Sequence, residues 1–124
     1  MAFVLIGVLA LSAITRAEDA AKVKIEFKVK APEGTPVDAK LYLAGNNEKF
    51  GGEWVAKGLE LKKAEDGQYS ATIEVPKGTA LEFKVTRGDW DTVEKQADGK
   101  ELDNRKHTAD KDETVNIEVK KWAK

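Results

Sequence analysis

Beyond residue 21 the chain alternates apolar and polar residues with a period of two. In KVKIEFKVK, Val23, Ile25, Phe27 and Val29 alternate with Lys22, Lys24, Glu26, Lys28 and Lys30, as in a strand with one face in a core and one in water. The same alternation runs through Ala39, Leu41 and Leu43, through Leu59 and Leu61, and through Tyr69, Ala71, Ile73 and Val75. It continues in Leu81, Phe83 and Val85 and in Val115, Ile117 and Val119. Turn-forming residues separate these runs: Pro32 to Pro36, Gly45-Asn46-Asn47, Asp66-Gly67, Pro76-Lys77-Gly78 and Asp98-Gly99. Short alternating runs at this spacing, without a helical period, predict an all-β antiparallel sandwich of about seven strands.

The N-terminus differs. MAFVLIGVLALSAITRA is an apolar run of roughly a dozen residues followed by small ones, which reads as a secretory signal peptide over residues 1–17. It is shorter than the ~20 residues of a membrane span. The expected organisation is a signal peptide at 1–17 and one domain over 18–124, in a secreted or periplasmic protein. Loss of Arg16 with that segment moves the formal charge of −1 to −2. Such near-balance gives no reason to expect nucleic acid as partner, or a membrane beyond the signal segment. There is no cysteine, so an exported domain must rely on its core.

The inventory for catalysis is short. Ser70 and His107 are single copies beyond residue 17, with no nucleophile elbow around the serine, and a nucleophilic triad needs both groups in contact with a third. Asp110, Asp112 and Glu113 lack the calcium-loop spacing and its central glycine, and read as a charged turn. The composition, 35% charged, places carboxylates near one another by chance, so their number marks no glycosidase pair. The expectation is a protein that is not an enzyme and needs no cofactor.

Aromatic side chains outside the alternation are more informative. Trp90 sits among Gly88, Asp89, Asp91 and Thr92, and Trp54 lies within NNEKFGGEWVAKG. Lys84, between the inward Phe83 and Val85, must leave the core face. Exposed aromatics mark contact surfaces, and flat indoles suit the apolar faces of pyranose rings. Lys84, Glu94 or Asn104 would then meet the sugar hydroxyls.

In the order LYLAGNNEKFGGEW, DGQYSATIEVPKGTALEFKVTRG, VEKQADGKELDNR and TVNIEVKKW, the chain resembles the family 20 starch-binding modules. The first part also resembles the family 48 glycogen-binding modules. The likeness runs from about Val23 to Trp122 and implies an immunoglobulin-like sandwich that binds α-glucan (starch, glycogen or maltooligosaccharides) without catalysis.

By resemblance, Trp54 takes the place of the first sugar-stacking tryptophan, Lys84 that of a hydroxyl-binding lysine, and Asn104 that of the asparagine closing the starch site. The starch-binding pattern expects a second stacking tryptophan where Lys95 stands. The glycogen-binding modules place it after the lysine-bearing strand, where Trp90 is, and use an asparagine on the last strand, for which Asn116 is the candidate. Tyr69 and Trp122 read as core. Such modules accompany glycan-active enzymes, so a separate enzyme is an expected partner. The alternative is a cell-envelope protein-interaction module of the same fold that has lost the sugar.

Overall fold

A computed structural model of the protein describes residues 22–124. The expected signal peptide at 1–17 lies outside the described residues. The described residues form nine strands and two single turns of 3₁₀ helix. The strands are β1 (Lys22–Lys30), β2 (Leu41–Gly45), β3 (Leu59–Lys63), β4 (Tyr69–Pro76), β5 (Thr79–Thr86), β6 (Glu94–Lys95), β7 (Arg105–Ala109), β8 (Glu113–Glu118) and β9 (Lys121–Trp122).

Seven of them form one curled sheet in the order β7-β5-β2-β3-β4-β1-β8. The curl is made at β3, which pairs with β2 through Leu59 and Leu61 and with β4 through Lys62 and Lys63. Strands β2, β5 and β7 thereby face β1, β4 and β8 as two layers. All pairings are antiparallel except β1 with β8, which run parallel.

Burial follows the alternation. In β1, Val23, Ile25, Phe27 and Val29 are buried, and every lysine between them is exposed. Phe27 of β1 meets Phe83 of β5 edge-on with ring centroids 5.1 Å apart, and Phe50, from the first 3₁₀ turn, packs on both at 5.8 and 5.7 Å. All three rings are fully buried, and each such burial contributes about 1.5 to 3 kcal/mol. The turn at Asp66-Gly67 needs Gly67, whose φ of 85° lies in the left-handed region.

Tyr69 and Trp122 belong to the core cluster. The Tyr69 hydroxyl donates to the Ala39 carbonyl at 3.2 Å, and burial, followed by the nearby Asp38 charge, pushes its pKa up. Trp122 Nε1 donates to Thr35 Oγ1 at 3.0 Å, with the Arg87 guanidinium 5.4 Å from its ring. Among the described residues, no helix is long and apolar enough to cross a membrane.

Candidate carbohydrate-binding site

The site is built on the outer face of β2 and β5, where Tyr42 stands opposite Thr86 and Ala44 opposite Lys84. Two loops cover this face, residues 46–58 after β2 and 87–104 after β5, and each carries one tryptophan. They meet at Thr86, whose hydroxyl donates to the Ala56 carbonyl at 2.7 Å and accepts from the Gly88 N–H at 3.1 Å. Ala56 is two residues from Trp54, and Gly88 is two residues from Trp90.

Trp54 is held at the backbone. Its N–H donates to the Gly45 carbonyl at 2.7 Å, and Gly45 forms a bridge with Glu53. A side chain at position 45 is excluded, because a Cβ there would lie 2.4 Å from both the Glu82 carbonyl oxygen and the Phe50 ring. Trp54 is also the one non-glycine among the described residues with positive φ, at 54°. A bulky side chain in that region is strained by about 1 to 3 kcal/mol, and such strain concentrates where a side chain must be aimed. The Trp54 side chain is half-buried, whereas Trp90, in the 3₁₀ turn Trp90–Thr92, is 44% exposed.

Lys84 leaves the core face as expected, but it does not stand in open solvent. It is only 8% exposed, because the 87–104 loop lies over it, and its Nζ donates to Glu101 Oε2 at 2.8 Å. Lys95 Nζ donates to the other oxygen, Glu101 Oε1, also at 2.8 Å. The bond from Lys84 and then that from Lys95 hold the Glu101 carboxyl down at about 2.

Glu94 requires a larger correction, because its side chain is fully buried. Arg105 grips it side-on, Nη2 to Oε1 at 2.8 Å and Nε to Oε2 at 2.9 Å, and Oε2 also accepts from the Val85 N–H at 2.9 Å. Its acceptors are spent inside the protein, so it ties the covering loop to β5 and does not face a ligand.

The two asparagines part company. Asn104 is exposed, with Nδ2 3.4 Å from Glu82 Oε1, in a cleft shared with Asp103 and Lys106. Glu82 lies two residues from Lys84 on the same side of β5, so Asn104 stands at the rim of the tryptophan-bearing face. Asn116 stands on β8 opposite Lys28 of β1, in a cleft with Lys30 and Gln68, on the other layer. The expectation that Asn116 joins Lys84 and Trp90 is corrected by the topology, since β8 pairs with β1 and not with β5. His107 is half-buried, with Nε2 3.1 Å from Glu113 Oε2. Sequence reasoning missed Glu101, whose signal was only a polar residue in a long polar loop.

This chain belongs to the starch-binding domain family, whose model matches residues 22–119. It is 36% identical over 99 residues to an alpha-amylase of Niallia circulans, covering 79% of this chain and 8% of that protein. It is 37% identical over 109 residues to an amylopullulanase of Thermoanaerobacter thermohydrosulfuricus, covering 84% of this chain and 7% of that protein. The chain therefore spans less than a tenth of these relatives.

Among solved structures, the family 20 carbohydrate-binding module of the maltotetraose-forming amylase from Pseudomonas saccharophila STB07 superposes with a TM-score of 0.54 at 19% identity, covering 78% of this chain and all of that one. The family 15 glucoamylase from Hypocrea jecorina superposes with a TM-score of 0.63 at 16% identity, covering 82% of this chain and 17% of that one. At these identities the likeness concerns the fold, an all-β sandwich.

Proposed function

We propose that this domain binds α-glucan, with no chemistry of its own, on the outer face of β2 and β5. Trp54 and Trp90 meet the apolar faces of the sugar rings, and Asn104 serves hydroxyls at the rim. The observation that carries the reading is the fastening of both tryptophan-bearing loops to one hydroxyl, that of Thr86. It ties the loop of the exposed Trp90 and that of the half-buried Trp54 to the same strand pair. The amylase and amylopullulanases that share the domain support a role beside a glycan-active enzyme, with the domain exported and bringing that enzyme to its polymer.

Affinity electrophoresis of the parent and Trp90→Ala in gels with and without soluble starch tests the reading. The parent is expected to be retarded by starch and the variant much less so, since loss of an anchoring aromatic costs about 1 to 3 kcal/mol, or roughly ten- to a hundredfold in affinity. A parent whose migration ignores starch contradicts it, and points to the protein-interaction module instead.

A further inference from the structure

Two glutamates of the loop over β5 have opposite fates. Glu94 is fully buried, and its oxygens are taken by Arg105 and the Val85 N–H. Glu101 has a side chain 69% exposed, yet each of its oxygens is held by an ammonium from a different element, Oε2 by Lys84 of β5 and Oε1 by Lys95 of β6. A carboxylate has about four acceptor sites, and two bonds leave roughly half of them open toward solvent.

The arrangement is a weak means of holding the fold, because the Glu101 carboxylate stands largely in water, where solvent screens its pairing. The hairpin is already closed without it. Gln96 N–H donates to the Lys100 carbonyl at 2.9 Å, the Gln96 side chain donates to the Glu101 carbonyl at 2.7 Å, and Lys95 bridges Glu101 through the backbone. What the two lysines do fix is the direction of an exposed, charged acceptor above β5, in the loop that carries Trp90.

We propose that Glu101 is a glucan-binding residue, its open lone pairs accepting from sugar hydroxyls while Lys84 and Lys95 hold it in place. This rests on the reading of the β2–β5 face as the sugar site and gives it the anionic acceptor that Glu94 does not provide. Lys84 is then chiefly a positioning residue, and Lys95 acts as a second clamp.

Titration calorimetry with maltoheptaose, alongside thermal melting, tests this on the parent, Glu101→Gln and Glu101→Ala. Both variants are expected to bind about tenfold more weakly, as for loss of a hydrogen bond to a charged group, while melting within a few degrees of the parent. Binding equal to the parent's removes Glu101 from the site. Tighter binding overturns the proposal too, because it shows the carboxylate to be a plug on Lys84. Weaker binding accompanied by a large fall in melting temperature in both variants makes Glu101 a structural latch and also overturns it. A parent that gives flat heats fails at the earlier step, the sugar site itself, and takes this assignment with it.

Discussion

The Thr86 hydroxyl donates to the Ala56 carbonyl at 2.7 Å, and this contact fastens the loop of Trp54 to the strand that leads to Trp90. Thr86 is fully buried on the outer face of β5, so its hydroxyl has been withdrawn from water to make these bonds. Thr86→Val keeps the shape and leaves the Ala56 carbonyl and the Gly88 N–H unmatched, at an expected cost of about 1 to 3 kcal/mol in stability. Glucan affinity should fall with it, as the two indoles lose their common anchor, and Thr86→Ser should restore both. Urea denaturation and maltoheptaose titration of the pair check this. A valine variant with unchanged affinity would separate the loops' junction from the site.

Glu94 was expected at the ligand and is found inside. Glu94→Ala leaves the Arg105 guanidinium without its carboxylate and the Val85 N–H unpaired. Removing one partner of a buried ion pair costs about 3 to 5 kcal/mol, so the urea midpoint should drop sharply. The folded fraction should still bind glucan with an affinity close to the parent's.

The strain at Trp54 has a signature of its own. Two substitutions remove the indole, but only glycine accepts φ 54° freely. Trp54→Gly is therefore expected to be more stable than Trp54→Ala by about 1 kcal/mol, with both losing glucan affinity alike. If alanine is the more stable of the two, the backbone at 54 relaxes out of the left-handed region once the ring is gone.

These sites show how far a pattern of residues can be followed. Strands β1, β4 and β5 were legible because their apolar residues alternate with polar ones, as in Tyr69 to Val75 and Leu81 to Val85. Strand β7 was not. In Arg105–Ala109 only Ala109 is buried, and the exposed residues are Lys106 and Thr108, so this edge strand carries no apolar alternation. The side of β5 that Lys84 occupies was legible from Phe83 and Val85, but its burial was not, since the cover comes from a loop folding back over the strand. Glu94 is hidden for a similar reason, as its partners lie 9 and 11 residues away. Asn116 was assigned by its place on the last long strand, and the alternation does not say which layer that strand joins.

The Glu101 carboxyl offers a direct titration. Its pKa is lowered from the ordinary 4.5 to about 2, first by the bond from Lys84 and then by that from Lys95. A depressed folded value means that the carboxylate's contribution to stability is whole above the unfolded pKa. It is lost as pH falls from about 4.5 toward about 2. That contribution is small, because the group is exposed and screened. Following the side-chain carboxyl carbon by NMR should give a midpoint far below that of an ordinary glutamate. Lys84→Met is expected to raise it more than Lys95→Met. The reverse order would make Lys95 the main clamp.

The central claim is that glucan lies against Trp54 and Trp90 on the outer face of β2 and β5. The chain has three tryptophans, and the third, Trp122, is buried with its indole N–H donated to Thr35 at 3.0 Å. Three indole N–H signals in a proton–nitrogen correlation spectrum, recorded while maltoheptaose is added, therefore report the claim with an internal control. The expected result is that the signals of Trp54 and Trp90 move together along one binding curve while that of Trp122 stays in place. Signals that all stay put at saturating sugar, or a Trp122 signal that moves while the other two do not, would contradict it.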